Sequence, residues 1–203
     1  MPDPQMTMEV HIHPKAILVD SAERVISVRL DLNAPPESAG VVARPLNMAL
    51  IIDKSGSMAG QKIETAKAAA VKVVNSLADH DVFALVAFSA EPEVLVPACR
   101  VGEHRTAIAS WISRLGPESW TLLAKGMRTA LMQIEPHCRE DVASSMFILT
   151  DGLAQDQEEC LKLAPDILQR GISIYAGGIG EDYDHAFLEK LCADPVEKGK
   201  FLV

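Results

Sequence analysis

Hydrophobic residues in this chain fall into short dense runs separated by amphipathic stretches, and from residue 46 onward the two kinds alternate. Leu46–Ile52, Val82–Phe88, Ser145–Thr150 and Ile172–Ala176 have strand length and little polar alternation. That is the pattern of strands buried on both faces of a parallel sheet. Between the first two, Ile63, Ala66, Ala70, Val74 and Leu77 recur at spacings of three and four, with Lys62, Lys67 and Lys72 elsewhere around the cylinder. This predicts an amphipathic helix over 59–77. Further helices are predicted at about 104–115, 122–134, 156–170 and 185–192, with Gly171 marking the end of the fourth. Trp111, on the helix at 104–115, is expected in the core. Glu93–Val96 follows Pro92 after only a tight turn, so it reads as a short antiparallel edge strand. Gly199–Val203 begins one more strand.

Strands alternating with helices predict an α/β fold. The expected form is Rossmann-like and doubly wound: a mostly parallel central sheet, helices on both faces and one short antiparallel edge strand. Right-handed crossovers set the carboxyl ends of the parallel strands along one edge, where such folds bind ligands.

The first 45 residues have a different period. Met8–His13 and Arg24–Leu30 alternate, the latter with Ile26, Val28 and Leu30 on the buried face, and residues 19–23 supply a turn. Residues 1–5 are expected to fray, and 33–45 form a Pro/Gly/Ser connector. Residues 1–45 are therefore expected to form a β appendage, too small to fold alone, on a main domain of 46–203. His11 and His13 share a strand face; with no third ligand nearby in sequence, two solvated imidazoles is the simpler reading.

Composition narrows the function classes. A net charge of −9 over 203 residues argues against nucleic acid, whose phosphates need clustered Lys and Arg. No apolar run is long enough to span a bilayer. The start, Met-Pro-Asp-Pro-Gln, lacks the basic region and apolar core of a secretion signal, so the expected location is cytoplasmic. Cys99, Cys138, Cys160 and Cys192 are widely spaced and are expected to be reduced packing residues, neither zinc ligands nor a disulfide framework.

The candidate chemistry sits at strand ends. Asp53, Ser55 and Ser57 arrive within five residues after the first buried run, and Asp151 follows the third. Thr121 lies in a loop entering a helix, a plausible neighbour that spacing alone does not assign. Two carboxylates and three hydroxyls form a hard donor set of the kind Mg²⁺ prefers, and if they converge the five oxygens leave one octahedral position for an outside ligand. Gly56 is expected to permit the tight turn between the serines. His80, His104, His137 and His185 have no partner pattern and are expected to be solvated. Neither serine has the nucleophile elbow of a hydrolase, and no phosphate-cradling or dinucleotide glycine motif occurs.

Asp53-Lys-Ser55-Gly-Ser57-Met resembles the Asp-x-Ser-x-Ser motif of von Willebrand factor type A domains. Thr121 followed by Gly126, and Thr150-Asp151-Gly152, resemble that family's other two elements, in the right order and at fitting separations over Pro45 to Val203. The resemblance implies a metal-ion-dependent adhesion site. Asp53, Ser55 and Ser57 would surround the ion directly or through water. Thr121 would bind directly when a ligand is engaged, and Asp151 often acts through water. The remaining position would take a Glu or Asp carboxylate from a partner protein. The expected ion is Mg²⁺, with Mn²⁺ or Ca²⁺ as substitutes, and the expected function is binding rather than catalysis, in a protein bacterial in style. Lys54 and Trp120 flank these oxygens and are assigned to partner contact, although Trp120 has a second reading as a residue packed under its loop. Two departures stand out: Ser119-Trp120 occupies a place where the family often has small residues, commonly glycine, and no closing helix follows Val203. The alternative function is a Mg²⁺-dependent hydrolase or phosphatase with Asp53 at the strand end. Phosphatases of the haloacid dehalogenase class resemble Asp-x-Asp, and Ser55 cannot replace their second carboxylate as acid or base.

Overall fold

Successive side chains of a strand point to opposite faces, and in Leu46–Asp53 both faces are apolar. Ala49 and Ile51 enter one core, Leu50 and Ile52 another, and all four are fully buried. The structure, a computed structural model, describes residues 7–13, 27–33, 44–118, 120–151, 154–180, 183–192 and 201–202, the first two and the last of these as strand backbone alone. In chain order the elements are β1 (Thr7–His13), β2 (Ser27–Asn33), β3 (Leu46–Asp53), α1 (Gln61–Ser76), β4 (Val82–Phe88), β5 (Glu93–Arg100), α2 (Val101–Ser113), α3 (Leu123–Ile134), β6 (Ala143–Thr150), α4 (Gln157–Gln169), β7 (Ile172–Gly178), α5 (His185–Leu191) and β8 (Phe201–Leu202).

The chain divides into two units between Ala43 and Arg44. In the first, β1 and β2 form an antiparallel ladder that sets Val10 opposite Leu30 and His11 opposite Arg29. The second holds a six-stranded sheet in the order β5-β4-β3-β6-β7-β8, parallel except for β5. Helices α1 and α2 cover the Leu50/Ile52 face, while α3, α4 and α5 cover the Ala49/Ile51 face. This is the Rossmann-like α/β architecture that the alternation of runs predicts.

Three details differ from the sequence reading. The antiparallel edge strand extends to Arg100, well beyond Val96, and includes Pro97. An edge strand tolerates a missing N–H, and the register shifts along β4 break the periodicity that would have revealed its length. Gly177 and Gly178 belong to β7, not to the loop after it. Trp111 is not in the core: Ile108 and Ile112 fill the buried stripe of α2, and Trp111 is 44% exposed with the Arg114 guanidinium 5.1 Å above its ring. The expectations for residues 1–5, the turn at 19–23, the connector over 34–43 and the buried face of 24–30 lie outside the described residues or side chains, as do the side chains of His11 and His13.

The sheet order also positions the site. From β3 the chain passes through α1 to β4 on one side, whereas β6 pairs with β3 on the other. The carboxyl ends of β3 and β6 therefore flank a topological switch point, where connections diverge and leave a crevice. Gly126 in α3 lets that helix approach β4 closely, because a Cβ there would lie 3.1 Å from the Phe88 Cβ. Replacing Gly126 with valine is expected to overpack this contact and remove about 1–3 kcal/mol of stability, read from urea unfolding. An unchanged midpoint would show that the helix does not need the close approach.

Candidate metal centre

Asp53 ends β3 and is fully buried. Its Oδ1 accepts a hydrogen bond from the Ser55 backbone N–H at 2.8 Å, and its Oδ2 accepts one from the Thr150 hydroxyl at 2.6 Å. Burial raises the pKa of Asp53; the bonds from Thr150 and Ser55 oppose that rise, and the neighbouring Asp151 charge adds to it. A nearby cation would relieve both the desolvation and the repulsion.

Asp151 follows β6 directly and is equally buried. Its Oδ2 lies 3.3 Å from the Lys62 ammonium, while its Oδ1 is buried without a hydrogen-bond partner among the described residues. Leaving a buried carboxylate oxygen unmatched costs more than making an ordinary hydrogen bond gains. A bound cation is the simplest group that satisfies it.

After Asp53 the chain enters a short 3₁₀ turn, Gly56–Met58, held down by the buried Met58. Gly56 is not among the residues with left-handed backbone, and a Cβ there would meet the Glu118 carbonyl oxygen at an ordinary 3.4 Å. The special conformational role expected of Gly56 is therefore absent. The Ser55 and Ser57 hydroxyl oxygens are 3.0 Å apart. Adjacent oxygens around an octahedral ion with metal–oxygen distances of about 2.1 Å stand about 3.0 Å apart, so the pair fits one edge of such a shell. Ser55 is buried and Ser57 exposed, as suits a site open on one side.

Thr121 is buried two residues before α3. Its carbonyl accepts from Gln155 N–H at 3.0 Å, and the next residue's N–H donates to the Ser89 carbonyl at the end of β4 at 2.9 Å. Asp156 receives the N–H groups of Leu123 and Ala124, both at 2.9 Å, and so caps α3 from another loop. These bonds tie together the loops that carry Thr121 and Asp151. Among the described residues no three His, Cys, Asp or Glu side chains cluster as a metal site. A cation held here would thus depend on hydroxyl oxygens beside the two carboxylates, the signature of a hard ion rather than zinc bound by nitrogen and sulfur. Burial pushes the Cys192 thiol up to about 11 and raises Cys160 and Cys99 too, which leaves these thiols inert.

Lys54, assigned to partner contact from sequence, is covered. Its side chain is 8% exposed, and its ammonium lies 3.1 Å from Glu93 and 2.9 Å from Glu118. Burial alone would lower its pKa, but the two carboxylates outweigh that and raise it, while Lys54 in turn lowers the pKa of Glu118. Glu118 also accepts from the Ser89 hydroxyl at 2.8 Å, and its N–H donates to the Lys54 carbonyl. This cluster braces the Asp53 loop against the loop leading to Thr121. Asp156, Glu118 and Lys62 shape the site without having been singled out from sequence; Thr150 stood there only as the first residue of the Thr150-Asp151-Gly152 element. Only Lys62 carried a signal: a cation in the first turn of a helix, against the macrodipole.

Residues 47–202 match the family model of the von Willebrand factor type A domain. The chain belongs to this family. A Synechocystis protein, itself uncharacterized, is 32% identical over 151 residues, covering 73% of this chain and 36% of its own length. The human inter-alpha-trypsin inhibitor heavy chain H4 is 30% identical over 169 residues, covering 76% of this chain and 18% of its own. This chain thus spans well under half the length of either relative. Among solved structures, manganese-loaded TRAP from Plasmodium vivax superposes with a TM-score of 0.64 at 18% identity, covering 78% of this chain and 68% of that one. The mussel byssus protein PTMP1 with a zinc-occupied MIDAS motif gives 0.63 at 19%, covering 74% and 39%. At these identities the structural likeness speaks for the shared fold.

Within this type A domain Trp120 is distinctive. It is 63% exposed and has φ +74°, and it is the sole non-glycine residue with left-handed backbone among the described residues. Of its two sequence readings, packing under the loop does not hold. A large side chain in that conformation is strained by about 1–2 kcal/mol. Trp120→Gly is expected to raise unfolding stability by about 1 kcal/mol after glycine's own entropy is counted. A loss of stability in urea unfolding would show that the indole packs after all.

Proposed function

We propose that this type A domain is a metal-dependent protein-binding module. Asp53, Ser55, Ser57, Thr121 and Asp151 would hold a divalent cation, and an acidic side chain of a partner protein would complete its coordination. The observation that carries this reading is the buried, unmatched Oδ1 of Asp151, beside a second buried carboxylate and a hydroxyl pair at octahedral spacing. Mg²⁺ is the ion favoured by the all-oxygen donor set; Mn²⁺ and Ca²⁺ share its preference for carboxylate and hydroxyl oxygens. A bound ion supplies a fixed positive charge toward which a partner carboxylate is drawn.

This chain's residues do the rest. Thr150 and the Ser55 N–H orient Asp53, and Lys54 with its two glutamates holds the first loop in place. Trp120, exposed beside Thr121, would give a partner an aromatic surface at the edge of the ion site, the kind of residue that contributes strongly to interfaces. Lys54, paired and covered, is assigned to bracing instead.

Ion binding to the native state alone should stabilise it. At a Mg²⁺ or Mn²⁺ concentration ten times Kd, the gain is about 1.4 kcal/mol, or a rise of about 3–6 °C in Tm for a chain of this size. Asp53→Ala is expected to abolish this rise. A wild-type melting curve indifferent to both ions would refute the proposal.

A further inference from the structure

Asp151 is approached by a residue outside the five proposed ligands. Lys62, the second residue of α1, points its ammonium at the Asp151 carboxylate from 3.3 Å, with its side chain 26% exposed. The position is electrostatically unfavourable in its own helix, because the first turn of a helix carries partial positive charge that repels a cation. Something beyond the helix holds it there. Asp151 attracts it, and Gly180, in the loop that follows β7, leaves room for it. Gly180 has φ +90°, and a Cβ there would lie 2.7 Å from the Lys62 Cε and 3.4 Å from its Nζ. Glycine at residue 180 leaves open the space that the end of the lysine occupies. Three elements thus converge to bring one ammonium onto one oxygen of a buried carboxylate whose other oxygen is unmatched.

We infer that Lys62 is a resident counter-cation that sets the affinity of the metal centre. The inference rests on the proposal that the centre binds a divalent ion. Lys62 neutralises part of the Asp151 charge and holds its carboxylate in place, and the same positive charge opposes a divalent ion drawn to the same group. Affinity is thereby lowered, keeping the ion exchangeable. A neighbouring unit charge a few ångströms away changes divalent-ion affinity by about tenfold even when screened as in bulk water.

The test is Mn²⁺ titration of the full chain, following free Mn²⁺ by electron paramagnetic resonance, with melting curves in parallel. Lys62→Gln keeps a hydrogen-bond donor for Asp151 without the charge, and Lys62→Met removes both. Both are expected to bind Mn²⁺ about tenfold more tightly than wild type and to show a lower Tm in chelator. Lys62→Arg retains the charge and is expected to stay within about threefold of wild type. Unchanged or weaker Mn²⁺ affinity in Lys62→Gln would overturn the inference, even if its stability falls, and would leave the proposed metal centre standing. Tighter binding in Lys62→Arg would overturn it as well, since the charge would then be irrelevant. Absence of Mn²⁺ binding by the wild type would overturn both readings.

Discussion

Two carboxylates buried side by side, Asp53 and Asp151, are the constraint around which the rest of the binding edge is arranged. Both are buried away from water, and the Asp151 charge adds to the cost of ionising Asp53. The fold places them there because β3 and β6 are adjacent parallel strands, so both chains leave the sheet at the same edge. Nearby groups compensate in part. The Thr150 hydroxyl and Ser55 N–H satisfy Asp53, and Lys62 meets one oxygen of Asp151. Among the described residues one carboxylate oxygen, Oδ1 of Asp151, remains unmatched. A fold that retains two buried acids with incomplete neutralisation is poised to accept a cation.

Holding that arrangement requires the loops to be stiff. The Glu118 carboxylate bridges Lys54 and Ser89, and Asp156 caps α3 from the loop beyond β6. Gly126 allows α3 to lie close against Phe88, which fixes the helix that Thr121 precedes by two residues. The strained backbone of Trp120 sits just before this anchored segment and exposes an aromatic ring beside it. Strain of this kind persists only where the surroundings hold it, and such residues gather at ligand sites.

The parallel strands were legible because each is a dense apolar run, and the acids were legible because they interrupt those runs abruptly. The resemblance to the family's motif then pointed to Thr121, which spacing by itself left unassigned. The edge strand was cut short in the reading because it has only one buried residue, contains Pro97 and pairs irregularly with β4. Trp111 was misplaced because a helix covering a sheet edge buries a narrow stripe, and hydrophobicity alone does not tell which residues fall outside it. Lys54 looked like a surface cation because its partners, Glu93 and Glu118, lie 39 and 64 residues away in sequence. Lys62 and Asp156 act across loops in the same way. Long-range polar pairing is what sequence pattern conveys least, and here it accounts for most of the support around the site.

The central claim is that five oxygens, from the loops after β3 and β6 and from the α2–α3 connection, serve one divalent ion. Anomalous diffraction at the manganese edge, from a crystal grown with Mn²⁺, tests it most directly. The account requires a single strong peak bounded by Asp53, Ser55, Ser57, Thr121 and Asp151. No peak at that edge of the sheet, or a peak ligated by other residues, would contradict it.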